Sequence, residues 1–474
     1  MRRLLLTLAL LLPTLGGWGQ SLLWERRYSW PSSDQLSDVV SLEDGTVLAI
    51  GISEGTTLAM LLRLTIYGDT LYKVRTPIIG PYIQKYSLCR LATGQVYAAA
   101  VSSIPGGGAR TRLVRIQPED GTILWYSDFI GVGLYRQAFS VNKMIEGPNG
   151  TLVATGRCDN PRGGWGNFGY LVCFDTLGVT QWDTVIREHP SNTFCHHVEM
   201  TRDGNILVSG TAGSRIFAAE YAQDGFEIRR ATFYQSASRI NFDYNPTVSV
   251  RQAPGDRYLV SGNILSSPIT QYIGLHQGWA GPKVWGGERR FPRLPFFSGP
   301  QVNTDGSITY FQGTSTQVQM QRLRADSSLF WLMTIPPAAG QTTADLTAYA
   351  SLADSSAVCV GYAGFVDSTA EDWYAARITG MGIPYRPWQP TTATKTKASQ
   401  PTPRPYPNPC TGTLYFAGLA APGRLELYGT DGRLHLSHPV APSQNVDVST
   451  LPPGVYGYRL TAQGKVWRGR VVKR

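Results

Sequence analysis

The chain has 474 residues, 42% of them hydrophobic and only 16% charged, which excludes a disordered tail and leaves room for a large core in about two or three domains. Its 51 glycines, 31 prolines and 11% aromatic content suit short strands joined by tight turns, so an almost all-β protein is expected. The formal charge of +10 is uneven: of 43 basic and 33 acidic side chains, 12 and 3 lie from residue 384 onward, leaving 31 and 30 before it. A near-neutral body argues against nucleic acid as a partner, because phosphate binding rests on clustered positive charge.

Met1, Arg2 and Arg3 precede an apolar run from Leu4 to Leu12 and then Gly17, Trp18 and Gly19. These are the charged, apolar and small-residue regions of a cleavable signal peptide over residues 1–19. The run is too short to span a bilayer and no later stretch reaches about 18 apolar residues, so no transmembrane segment is expected. The mature chain is expected to start near Gln20 and to be secreted, passing through the periplasm to the cell surface or medium. Six cysteines (Cys89, Cys158, Cys173, Cys195, Cys359, Cys410) show no metal-like spacing. Cys158 and Cys173 flank a Gly-rich loop, Pro161 to Gly169, and are the one pair expected to bridge, across the two arms of a hairpin.

From there the chain repeats. A first turn appears at Asp44-Gly45, Thr93-Gly94, Asn149-Gly150, Asp203-Gly204, Gly255-Asp256, Asp305-Gly306 and Asp354-Ser355, with spacings of 49, 56, 54, 52, 50 and 49 residues. Each turn leads into a β-rich strand ending in Gly, such as TVLAIG (46–51) or NILVSG (205–210). Asp-Gly and Asn-Gly tolerate the positive φ of a tight hairpin turn. A second turn follows, and four positions beyond it stand Tyr72, Trp125, Trp182, Trp285 and Trp331, with Arg229 the exception. Four strands per unit, seven times over, predict a seven-bladed β-propeller across residues 20–383. LLWERRY (22–28) has the register of a fourth strand, and the seventh unit ends after its third. Residues 20–30 are therefore expected to complete the last blade and seal the ring, the alternative being a strand that pairs elsewhere. EDGTILW (119–125) resembles the repeats of quinoprotein-like propellers, and the tryptophans read as core between blades.

Residues 384–405 are rich in Pro and Thr without apolar periodicity, the mark of an extended linker. Beyond it come YPNP (406–409), GTLYF (412–416), GRLELYGTDGR (423–433), VDVSTLPPGVYGYRL (446–460) and GKVWRGRVVKR (464–474). This succession resembles the type A C-terminal sorting domain of the type IX secretion system. The resemblance implies a small β-sandwich over 406–474 that the secretion machinery reads, generally removed at the cell surface. The positions that carry the motif are Pro407, Asn408, Pro409, Gly432, Leu451, Gly454, Tyr456 and Lys473. Cys410 after the opening PNP and Gly457-Tyr458 after Gly-Val-Tyr depart from the usual pattern.

No P-loop, dinucleotide fingerprint, nucleophile elbow or HExxH occurs. In Cys195-His196-His197-Val198-Glu199, strand alternation pairs His197 with Glu199 and points His196 the other way, one ligand short of a minimal zinc site. Glu119-Asp120 and Glu371-Asp372 are carboxylate pairs whose use in glycoside hydrolysis depends on their separation in space. Trp165, on a Gly-rich loop, is the best ligand-binding candidate. No catalytic, cofactor or metal residue is assigned. The expectation is an exported all-β binding or adhesion module that meets an extracellular glycan, peptide or protein. The alternative is a propeller enzyme, either a polysaccharide hydrolase or a quinone-dependent oxidoreductase.

Overall fold

The computed structural model describes residues 21–28, 34–53, 58–79, 86–103, 109–129, 139–159, 167–187, 192–235, 248–264, 269–291, 299–313, 318–335, 341–365, 371–388, 404–406, 410–417, 419, 421–429, 433–442, 444–463 and 465–474. Among them there is no α-helix, and the chain divides into two units, residues 1–390 and 391–474.

In the first unit the described residues form seven four-stranded antiparallel sheets. The innermost strands are Asp34–Ser41, Ser87–Arg90, Phe139–Glu146, Thr193–Met200, Ser249–Ala253, Gln301–Val302 and Gln341–Ser351. Each sheet packs on the next, and the last returns to Asp34–Ser41, so the sheets are the blades of a β-propeller. Leu22–Tyr28 runs antiparallel to Glu371–Ile378 and is the outermost strand of the seventh blade. Arg27 Nε donates to Asp372 Oδ2 at 2.5 Å and Tyr374 Oη to Glu25 Oε2 at 2.8 Å across this pairing.

The repeated residues have repeated jobs. Gly45 and Gly306 adopt φ of 81° and 76°, which the tight turn requires, and Ser355 takes the same region at 63°. The preceding Asp44, Asp305 and Asp354 each accept the backbone N–H of Thr46, Ser307 or Ser356, at 3.0, 2.9 and 3.0 Å. An arginine on the third strand then joins that turn to the neighbouring blade. Arg377 donates to Asp354 Oδ2 at 2.6 Å and to the Ile66 carbonyl of the first blade at 3.0 Å. Arg63 links Asp44 to the Pro118 carbonyl, and Arg322 links Asp305 to that of Gly380.

The fourth-strand aromatics work alongside these clamps. Trp24, Trp182 and Trp285 donate their indole N–H to carbonyls of the next blade's second turn, at Ile66 (2.7 Å), Gln223 (2.8 Å) and Ala325 (2.7 Å). Tyr72 does the same to Pro118 through its hydroxyl at 2.8 Å, and Trp125 lies against Gly178. The exception exchanges partners, because Arg229 stacks 4.3 Å from the ring centre of Trp279, which belongs to the next blade's turn.

The Gly that closes several second strands has a steric cause. The innermost strands carry an irregularity between Leu36 and Asp38, Val141 and Lys143, Cys195 and His197, and Leu346 and Ala348. Facing Leu36, Val141, Cys195 and Leu346 stand Gly51, Gly156, Gly210 and Gly361. At each place a β-bulge adds one residue and bends the inner strand towards its neighbour. A Cβ at Gly156 would lie 1.5 Å from the Ser140 carbonyl oxygen, and one at Gly210 would lie 1.9 Å from that of Phe194. Gly156→Ala is therefore expected to destabilise the propeller by about 3 kcal/mol, the upper range of overpacking costs. Gly287→Ala, where nothing lies within 4 Å, is expected to stay within about 0.5 kcal/mol of the parent. Urea denaturation midpoints check both, and equal midpoints would refute the steric account.

The expected bridge between Cys158 and Cys173 does not form. Cys158 sits opposite Phe168 and Cys173 opposite Val153, an odd offset that sends the two side chains to opposite faces of the blade, into different cores. All six cysteines are buried thiols.

The second unit has a three-stranded sheet, Arg404–Tyr406, Thr413–Ala417 and Val446–Asp447, and a four-stranded sheet ordered Leu434–Val440, Gly423–Tyr428, Gly454–Ala462 and Lys465–Lys473. Leu414 and Phe416 of the first and Leu425, Leu427, Tyr458 and Leu460 of the second share one core, as in a small β-sandwich.

Candidate functional site: the central cavity

The seven innermost strands enclose a cavity of about 460 Å³, within the usual range for a small-molecule site. Its wall is polar because a strand at the centre of a ring must turn one face to the channel. Asp38, Arg90, Lys143, Glu146, Glu199 and Arg251 line it.

The three carboxylates are tied to the neighbouring blade by main-chain donors. Asp38 Oδ2 accepts the Leu88 N–H at 2.9 Å, Glu146 Oε2 that of Ala92 at 2.9 Å, and Glu199 Oε1 that of Gln252 at 2.6 Å. Ser87 and Ser209 continue the belt, accepting Met144 N–H at 3.0 Å and Val250 N–H at 2.8 Å. Lys143 Nζ lies 3.3 Å from Asp38 Oδ2. Burial raises the pKa of Glu146 in spite of its N–H donor and of Arg90 and Arg386 nearby. Enclosure acts more strongly on Glu199, pushing it up to about 7 against the opposing pull of Arg251 and the Gln252 N–H.

The expected separation of the two histidines does not hold. The bulge at His196 interrupts strand alternation, and both His196 and His197 line the cavity. His197 Nε2 is 3.5 Å from Glu199 Oε2, as the period-2 pattern has it, whereas His196 Nε2 is 3.1 Å from Thr211 Oγ1 and its ring stacks on Phe194. Among the described residues no group of three His, Cys, Asp or Glu could hold a metal ion.

Residues 384–388, which open the Pro-rich stretch in the sequence, pack on the first unit. Tyr385 N–H donates to the Val302 carbonyl at 2.7 Å, Pro384 bridges to Asn303, and Pro384, Tyr385 and Arg386 line the cavity. Trp388 then joins the core of the fourth blade beside Gly204. The chain thus leaves the ring as a strap across the end of the cavity where the inner strands finish, passing from the sixth blade to the fourth.

Trp165 lies outside the described residues, as do Pro407, Asn408, Pro409 and Gly432. Leu451 and Tyr456 are in the core of the second unit, Gly454 begins a strand, and Lys473 ends one, its Nζ donating to the Arg474 carbonyl at 2.7 Å. Asp372 is buried against Arg27, and Asp120 caps its own turn by accepting the Thr122 N–H at 2.9 Å, so these two carboxylates are engaged within the blades. Sequence reasoning missed Asp38, Glu146 and Arg251. The signal that could have found them is the inner strand preceding each first turn.

No known protein family matches the chain, and no curated protein matches it. Among solved structures, the polysaccharide lyase Uly1 is similar at 9% identity over 74% of this chain and 92% of that one, with a TM-score of 0.48. A fungal alcohol oxidase of the AA5 family, in complex with copper, has 11% identity over 95% and 98%, with a TM-score of 0.47. Hydrazine synthase of Kuenenia stuttgartiensis has 11% identity over 73% and 96%, with a TM-score of 0.46. At such identities no activity carries over.

Proposed function

We propose that this chain is an exported propeller that binds an extracellular glycan, peptide or protein at the end of its central cavity away from the strap, and that residues 406–474 are a type A sorting domain for type IX secretion. The observation that supports binding over catalysis is the belt of main-chain donors. Asp38, Glu146 and Glu199 each hold a neighbouring blade's N–H, so the cavity carboxylates brace a preformed recess and do not stand as a facing acid and base pair. The sorting role is supported by the ordered motifs from Tyr406 to Arg474 and by a second unit with a hydrophobic core of its own. One observation favours an enzyme instead: Glu199, with its pKa pushed up to about 7, stands 3.5 Å from His197 inside the cavity, as a general acid would. Purified residues 20–390 on glycan and peptide arrays, alongside a turnover assay on a polysaccharide panel, separate the two. Binding without turnover supports the module, and turnover lost in Glu199→Gln would replace it with the enzyme.

A further inference from the structure

Charge in the cavity is matched nearly everywhere. Lys143 faces Asp38 at 3.3 Å, Arg90 holds Glu43 at 2.8 Å, and Arg386 stands near Glu146. The sector around Arg251 is different. Its Nε, like that of Arg90, is buried without a hydrogen-bond partner among the described residues, but its guanidinium reaches across the ring to the hydroxyl of Tyr349. The carboxylate beside it is Glu199, whose oxygen already accepts the Gln252 N–H and whose side chain is largely buried. Below about 7 that carboxyl is neutral, and the partly buried guanidinium then lacks its charge as a counterion. Buried charges are costly unless they are paired.

We propose that Arg251, with Tyr349 beside it and His197 lining the same cavity, forms a site there for a small monoanion, the carboxylate or phosphodiester group of a polar ligand. The inference rests on the binding reading above and names the chemistry of its ligand. A guanidinium fork presents parallel donors that match a planar carboxylate or two phosphate oxygens. The cavity volume of about 460 Å³ accommodates one polar residue of a sugar or peptide.

The site carries a pH dependence whose sign follows from Glu199. Below about 7 Glu199 is neutral, Arg251 is uncompensated and an anion is attracted. Above it the carboxylate neutralises Arg251 and repels the anion, so binding takes up a proton and weakens by up to about tenfold per pH unit. The groups facing Glu199 are His197 on its own strand and Arg251 on the next blade. On the preceding blade's inner strand, Lys143 is engaged by Asp38, and Glu146 by Ala92. His197 Nε2 lies 3.5 Å from the Glu199 carboxyl, so a Glu199 variant is needed to isolate the carboxyl's own contribution.

Isothermal titration of the full chain with sodium glucuronate and with sodium dimethyl phosphate, both singly charged throughout, tests this at pH 6 and pH 8. At least one should bind about tenfold more tightly at pH 6. Glucuronate alone would assign a carboxylate and dimethyl phosphate alone a phosphodiester. Glu199→Gln, which keeps the acceptor for Gln252, should bind at pH 8 nearly as at pH 6, and Arg251→Met should lose binding at both. No millimolar binding of either anion, an unaltered affinity in Arg251→Met, or an undiminished pH slope in Glu199→Gln would overturn the proposal. If Arg251→Met does not melt cooperatively, the comparison of the parent with Glu199→Gln decides alone. Array binding of neutral ligands without anion binding would sink this inference and leave the binding reading standing. Turnover without array binding would sink that reading itself.

Discussion

A chain lacking residues 21–28 is expected to lose the cooperative thermal transition of the propeller. Leu22–Tyr28 pairs along its length with Glu371–Ile378, and without it the seventh blade ends in an unpaired edge. Asp372, 2% exposed, would lose Arg27, and stranding one member of a buried ion pair costs about 3–5 kcal/mol. Trp24 and Tyr28 would no longer donate to the Ile66 and Gly68 carbonyls, at 2.7 and 2.8 Å, so the contact with the first blade weakens as well. Against a net stability of about 5–15 kcal/mol these losses add to most of the total. Calorimetry and limited proteolysis check the outcome. A melting point within about 3 °C of the parent would mean that the ring does not depend on this strand.

Deleting residues 404–474 should have an equally large effect of another kind: nearly complete loss of surface delivery, with a folded propeller retained in the periplasm. The hydrophobic clusters of the blades draw on residues before 391, and that of the sandwich on residues after it. Removing the tail should leave the melting transition of the blades intact. The deletion also removes most of the net positive charge, which lies from residue 384 onward. Cell fractionation reads the delivery, and intact-mass measurement of the native surface protein reads the processing. Normal delivery of the truncated chain, or a native mass that still includes Arg474, would refute the sorting proposal.

What could be read from the sequence was whatever residue type decides locally. Asp44-Gly45 and Asp305-Gly306 specify a positive-φ turn by themselves, and the aromatics at Tyr72, Trp125 and Trp182 mark fourth strands because only a large side chain spans the gap to the next blade. The bulges were hidden, since an extra residue leaves no trace in a period-2 pattern. That is why His196 faces the cavity against expectation, although Gly156 and Gly210 record the close approach. Cys158 and Cys173 failed as a pair through hairpin register, which flanking loop composition does not determine. The Arg251 sector could not be assembled at all, because Tyr349 meets Arg251 only once the ring has closed.

The strap formed by residues 384–388 has a bearing on what kind of polymer could be recognised. With Pro384, Tyr385 and Arg386 among its lining, the cavity is narrowed at one end by chain that belongs to none of the blades. On the binding reading proposed above, a recess narrowed in this way favours the terminus or a single side branch of a glycan or peptide over an internal stretch of chain.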